Sequence, residues 1–227
     1  MPEKSLIRLP NSKQRIAIVG RTGSGKTVAA LWHLSNANFD AMPWVVVDFK
    51  TDENINAIDG VEYIGTQDNP KRPGIYVIQP HPSDPTFGDF LERIWQRENT
   101  GVYVDEGFMM GENSKVENRF ITLLTQGRSK HIPMIVLSQR PVWMTRFVWS
   151  ESDFFQVFQL TTKKDEKTIE DILPSNTVLN LPDFHSVYYD VGKKRISYMG
   201  PVPDAPVIID KIQERLSEIR KRTKRRI

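Results

Sequence analysis

The run Gly20-Arg21-Thr22-Gly23-Ser24-Gly25-Lys26-Thr27 has the spacing GxxxxGK[ST]. Residues of these types in this order make a phosphate cradle. Glycines let backbone N–H groups turn inward around phosphate oxygens. Lys26 is long enough to reach the β- and γ-phosphates of ATP, and Thr27 offers a hydroxyl to Mg2+. The flanks matter more than the match. Residues 15–20 form an apolar run that reads as a strand, and residues 26–34 read as a helix. The loop therefore opens a helix, whose N-terminus adds partial positive charge.

A second group, Val102-Tyr103-Val104-Asp105-Glu106, ends an apolar strand in two carboxylates. In an open α/β sheet, ligands bind at the carboxyl ends of the strands. There Asp105 holds Mg2+ through its water shell, and Glu106 orients and polarises an attacking water. Asp-Glu alone is also an ordinary turn; its weight comes from being paired with the loop at 20–27. A third strand end, Ser138-Gln139-Arg140-Pro141, supplies an amide and a cation. Gln139 would lie beside Glu106 if their two strands flank the phosphate-loop strand, where its amide senses the γ-phosphate. Arg128 ends the preceding helix. It is either a cation favoured by the helix dipole or a group that neutralises charge on a neighbouring subunit's ATP.

These side chains need a rigid scaffold, and the apolar pattern supplies one. Residues 44–49, 75–79, 102–105 and 133–138 read as buried strands. Residues 86–98 and 116–126 read as helices with one apolar face. The alternation predicts a mostly parallel sheet with helices on both faces. Beyond it, strands over 154–160, 186–191 and 195–199 are expected, the last two joined as a hairpin through Gly-Lys-Lys. A short helix covers 164–173, and a helix over 207–222 follows a proline-rich connector. The expected division is an ATPase core over 1–160, an extension over 161–206 packed on it, and a basic helix or tail over 207–227.

Composition narrows the classes. The 227 residues are 39% hydrophobic and 26% charged, enough for a buried core. With no cysteine there is no disulfide framework and no thiolate chemistry. The four histidines (His33, His81, His131, His185) lack metal-ligand spacing. No apolar run is long enough to span a bilayer, and residues 1–15 lack the apolar stretch of a secretory leader. The net charge of +3 hides an asymmetry: residues 211–227 carry +6 and the rest −3. Such a tail can hold a polyanion, either nucleic acid or an anionic membrane surface. It is expected to stand off from the body. Lys163, Lys164 and Lys167, or Lys193, Lys194 and Arg195, are further candidates for touching DNA phosphates. The dense apolar group Met144, Phe147 and Trp149 with Trp143 reads as core, or else as a subunit interface.

Together these motifs resemble the FtsK–HerA superfamily of DNA-pumping P-loop ATPases. GRTGSGKT, VVVDFK (with Lys50), VYVDEG and GRSKHIPMIVLSQRP match its four strand-end motifs, over about residues 12–145. The absence of an added membrane domain is similar to the viral branch, the genome-packaging ATPases of tectivirus-type internal-membrane phages. The resemblance implies a RecA-like P-loop fold and a hexameric or ring-like homo-oligomer at a capsid vertex of the virion. It also implies assembly in the host cytoplasm, ATP-driven movement of double-stranded DNA, and docking onto small membrane proteins. By that resemblance Lys26, Thr27, Asp105, Glu106, Gln139 and Arg128 take the family's site positions, with Arg140 the second candidate for the trans-acting arginine. The alternatives are an accessory nucleotide-binding scaffold, or a conjugative or chromosome-type DNA pump.

Overall fold

The apolar runs become neighbouring strands of one sheet. The computed structural model describes residues 7–81 and 83–224. Along the chain lie β1 (Arg15–Val19), α1 (Lys26–Ser35), β2 (Pro43–Asp48), α2 (Glu53–Asn56), β3 (Glu62–Tyr63), β4 (Gly74–Ile78) and α3 (Phe87–Arg97). Then come β5 (Gly101–Asp105), α4 (Ser114–Gln126), β6 (Met134–Ser138), α5 (Arg146–Glu151), β7 (Phe154–Val157), α6 (Lys163–Glu170), β8 (Ser186–Asp190), β9 (Arg195–Met199) and α7 (Ala205–Lys224). The sheet order is β3-β4-β2-β5-β6-β1-β7-β8-β9. From β3 to β7 every pairing is parallel; β8 and β9 add antiparallel at one edge. This is the mostly parallel α/β sheet that the sequence predicts.

Alternate side chains of each strand enter opposite cores, because successive strand residues face opposite ways. Ala17, Val19, Val45, Val47, Val102 and Val104 pack with α3 and α4. Ile16, Ile18, Trp44, Val46 and Tyr103 pack with α1 and α7. Strands covered on both faces carry no polar alternation, which is why they read as continuous apolar runs.

The C-terminal part differs from its expectation in one respect. The basic helix does not stand off from the body. In α7, Ile208, Ile209, Ile212 and Leu216 are buried in the core shared with α1. Its cations serve the same contact: Arg215 donates to Ser35 O at 2.7 Å and to Asp40 at 3.0 Å, and Lys211 donates to Asn36 Oδ1 at 2.7 Å. Charge density hid an apolar face at helical spacing. Arg225 and Arg226, part of the basic end, lie outside the described residues. Among the described residues no helix is long and apolar enough to cross a membrane.

His33 is a core histidine. It lies buried on α1 with Nε2 2.8 Å from Gln156 Oε1, and Gln156 in turn donates to Ser186 Oγ at 3.0 Å. Burial pushes its pKa down to about 4, against the opposing pull of Gln156. The unfolded chain, titrating near 6.5, takes up the proton first. Stability conferred by the neutral ring is therefore full above about pH 6.5 and is lost as pH falls towards 4, by on the order of 3 kcal/mol. His33→Gln is expected to remove that dependence. Thermal melts from pH 7 to 4.5 should show the wild-type midpoint falling about 5–10 °C more than the variant's. Parallel curves would place the acid sensitivity elsewhere.

Candidate functional site at the carboxyl ends of the strands

The phosphate loop is built by local rules. It leaves β1 at Gly20 and is fastened on both sides. Gly20 N–H donates to Ser138 O on β6 at 3.4 Å, and Arg21 N–H donates to Gln159 O beyond β7 at 2.7 Å. A Cβ on Gly20 would come within 2.6 Å of Phe158 Cβ, so only glycine lets the loop run this close. Gly25 caps α1 at φ 97°, a left-handed backbone that glycine adopts without steric cost. No acid lies in the first turn of α1, so its positive end is unmasked. Ser24 Oγ is buried in the loop without a partner, and Lys26 Nζ folds back onto Arg21 O at 3.0 Å. Burial pushes the Lys26 ammonium down to about 8, although Glu106 and Asp105 pull it up. An orphaned hydroxyl, a buried lysine whose charge lacks a counter-ion and a bare helix N-terminus fit a bound polyphosphate. Thr27 lies in the first turn of α1, half-buried beside Lys26. Thr22 and Gly23 form the exposed rim of the loop.

Asp105 ends β5, in register with Asp48 at the end of β2. Burial first, and then the negative charge of Glu106, push its carboxyl up to about 7. A nearby dication offsets both effects, so the donor set fits Mg2+. Among the described residues no cluster of three or more His, Cys, Asp or Glu could hold a metal.

Glu106 follows in a left-handed conformation, φ 61°, which a side-chain-bearing residue adopts at a cost of about 1–2 kcal/mol. Its side chain is 3% exposed and ion-paired with Lys50 Nζ. Its other oxygen accepts the Gln139 N–H at 3.4 Å. Gln139 Oε1 accepts from Thr22 Oγ1 at 2.8 Å, so the residue joins acid to phosphate loop, its backbone N–H on the acid and its side chain on the loop. The geometry differs from the flanking arrangement expected. Strand β6 lies between β1 and β5, so Gln139 is next to the loop and Glu106 is one strand further out, about 10 Å from β1.

The arginines separate. Arg140 is at the site edge but turned inward: its Nε bonds buried Asp165 at 2.9 Å and its guanidinium lies over the Trp143 ring at 4.4 Å. Arg128 is at the opposite edge, joined to Asp153 at 2.8 Å with a side chain 57% exposed. Asp153 also accepts the Arg15 N–H at the start of β1. The five residues of β1 therefore separate Arg128 from its own loop by about 16 Å. Arg21, expected in the cradle, points outward to Asp183 at 3.2 Å. Trp143 is 57% exposed rather than core, while Met144 is buried.

Two contributors were not assigned a role from sequence. Lys50 sits two residues past β2 and meets Glu106 directly. Asp48 is fully buried and accepts from Lys50 N–H at 3.2 Å, Asp52 N–H at 3.1 Å and Gln79 Nε2 at 3.0 Å, fixing that turn. The signal was present: a strand ending in an acid and a lysine, at the same sheet edge as Asp105.

On the β7 side of the loop a cavity of about 370 Å3 adjoins Gly25. Val28, Phe158, Phe184, Pro201 and Pro203 line it, and Phe184 would touch a Cβ at Gly25 at 3.3 Å. The loop thus has a polar side, towards Gln139 and Glu106, and an apolar side, towards Phe184.

No protein-family model matches the chain. It is 44% identical over 229 residues to DNA packaging ATPase P9 of Enterobacteria phage PRD1, covering 96% of this chain and 99% of that protein. Among solved structures, the fold is similar to B204, the DNA-packaging ATPase of Sulfolobus turreted icosahedral virus. That match has a TM-score of 0.67 and 18% identity over 86% of this chain and 100% of B204. It is also similar to the B204 genome packaging NTPase of Sulfolobus turreted icosahedral virus 2 in complex with AMP, with a TM-score of 0.66 and 17% identity over 86% and 100%. With near-complete coverage at this identity, the chain belongs to the family of viral DNA packaging ATPases that includes P9.

Proposed function

We propose that the chain hydrolyses ATP at this strand-end site and uses the cycle to drive double-stranded DNA into a preformed capsid. The observation that carries the hydrolytic reading is Glu106: a buried carboxylate joined through Gln139 to the phosphate loop. Loop N–H groups and Lys26 bind the phosphates. The β7-side cavity takes the base, with Phe184 against it. Thr27 and Asp105 are the residues that would hold Mg2+, whose chemistry is to neutralise charge on the β- and γ-phosphate oxygens. Glu106 orients the water and accepts its proton. The water oxygen bonds to the γ-phosphorus, the bond to the β–γ bridging oxygen breaks, and ADP and phosphate leave. Gln139 reports whether the γ-phosphate is present.

The placement of Arg128 supports a ring. It is exposed and cannot reach its own loop, so its phosphate partner is a neighbour's. A hexamer at one capsid vertex, docked on small membrane proteins of the virion, is the assembly we infer, with Trp143 and the groove beside Glu106 at the subunit contact. The packed part of α7 belongs to the body; its basic end is the candidate docking segment.

The test is ATP turnover by the purified chain with and without duplex DNA at several salt concentrations. We expect duplex to raise the rate, with a steep salt dependence from phosphate contacts. A chain ending at Arg220 keeps the buried face of α7 and should retain the basal rate. Truncation before Ile212 would instead open the core. A rate unmoved by duplex at low salt would favour the scaffold reading.

A further inference from the structure

The pairing of Lys50 with Glu106 is at odds with the task given to that carboxylate. A base that must take a proton from water has to turn a free lone pair to that water, which a carboxylate with both oxygens held by protein donors does not readily offer. Yet one oxygen of Glu106 is bonded to the Lys50 ammonium and the other to the Gln139 N–H. The lysine backbone is held firmly. Buried Asp48 accepts from the N–H groups of Lys50 and Asp52, and Thr51 takes a left-handed φ of 58° to close the turn. The ammonium is held loosely by comparison: the side chain is 45% exposed, and among the described residues its recorded side-chain partner is Glu106. A fixed root with a mobile charged tip suits a group that changes partners. Through Glu106 and Gln139 the tip is also placed on the polar side of the loop.

We propose that Lys50 is a γ-phosphate-dependent clamp on Glu106. It holds the carboxylate until a γ-phosphate on the loop competes for the ammonium. It then moves to that phosphate and leaves Glu106 free to take the water proton. Lys50 is thus a positioning residue for Glu106 and a selector of triphosphate over diphosphate. With ADP it stays on Glu106, so hydrolysis resets the clamp. This inference rests on the reading that nucleotide phosphates occupy residues 20–27.

The test measures affinities for ADP and for an ATP analogue with a non-hydrolysable β–γ link, on full-length protein. In Lys50→Met the preference for the triphosphate should fall about tenfold or more, the size of one lost charged hydrogen bond, with ADP affinity within about twofold of wild type. Lys50→Arg should restore most of the preference. Glu106→Gln frees the ammonium and should raise the preference at least about threefold, and adding Lys50→Met should abolish that gain. An unchanged preference in Lys50→Met, or an equal loss for both nucleotides, would overturn the clamp. Lys26→Ala separates the two levels: if it weakens neither nucleotide, the loop reading itself fails.

Discussion

Glu106→Gln should hold ATP and fail to turn it over. The amide preserves the shape and keeps an oxygen for the Gln139 N–H, so the loop is little disturbed and ATP should bind at least as tightly as to wild type. It cannot take a proton from water. General-base catalysis contributes about 10²–10⁴-fold, and the single-turnover rate should fall within that range. Lys26→Ala should behave differently. Its ammonium lies inside the loop, folded onto Arg21 O, and its loss removes a cation from phosphate binding itself. Equilibrium nucleotide binding and single-turnover hydrolysis, measured on both variants, separate the two roles. Hydrolysis at the wild-type rate by Glu106→Gln would remove Glu106 from the chemistry.

Mixing two inactive variants should restore activity if Arg128 acts across a subunit boundary. Arg128→Ala keeps an intact loop, and Lys26→Ala keeps an intact Arg128. In a mixed ring some interfaces pair the good half of each. A trans-acting arginine is worth about 10³–10⁵-fold, so even a minority of complete sites would stand far above the homogeneous variants. The rate should rise to a maximum at intermediate mixing ratios, with assembly followed by native mass. No rescue at any ratio, with mixed rings present, would leave Arg128 as the partner of Asp153 that stabilises the start of β1. Arg140 is the weaker candidate because buried Asp165 already holds it.

What the sequence made legible follows from how local each feature is. The phosphate loop was readable because strand, glycines and helix are contiguous and each constrains the next. Strands β1, β2, β5 and β6 were readable because both their faces are covered and no polar residue interrupts them. Strand order was not readable, since identical apolar runs pair equally well in several orders. That is why β6 was not foreseen between the loop strand and Glu106. The role of Lys50 was hidden for the same reason: residues 50 and 106 meet only through the pairing of β2 with β5. In α7 the basic residues dominated the composition, while Ile208, Ile212 and Leu216, at spacings of four, carried the packing.

The most direct test is the genome content of particles assembled with this chain as their sole packaging ATPase. Nuclease-protected DNA is measured for wild type and for Glu106→Gln, with incorporation of the protein into particles confirmed in both. Full genomes with wild type, and intact but empty particles with Glu106→Gln, are the predicted result. Particles filled to the wild-type level with Glu106→Gln would contradict the claim that hydrolysis at this site drives the DNA inward.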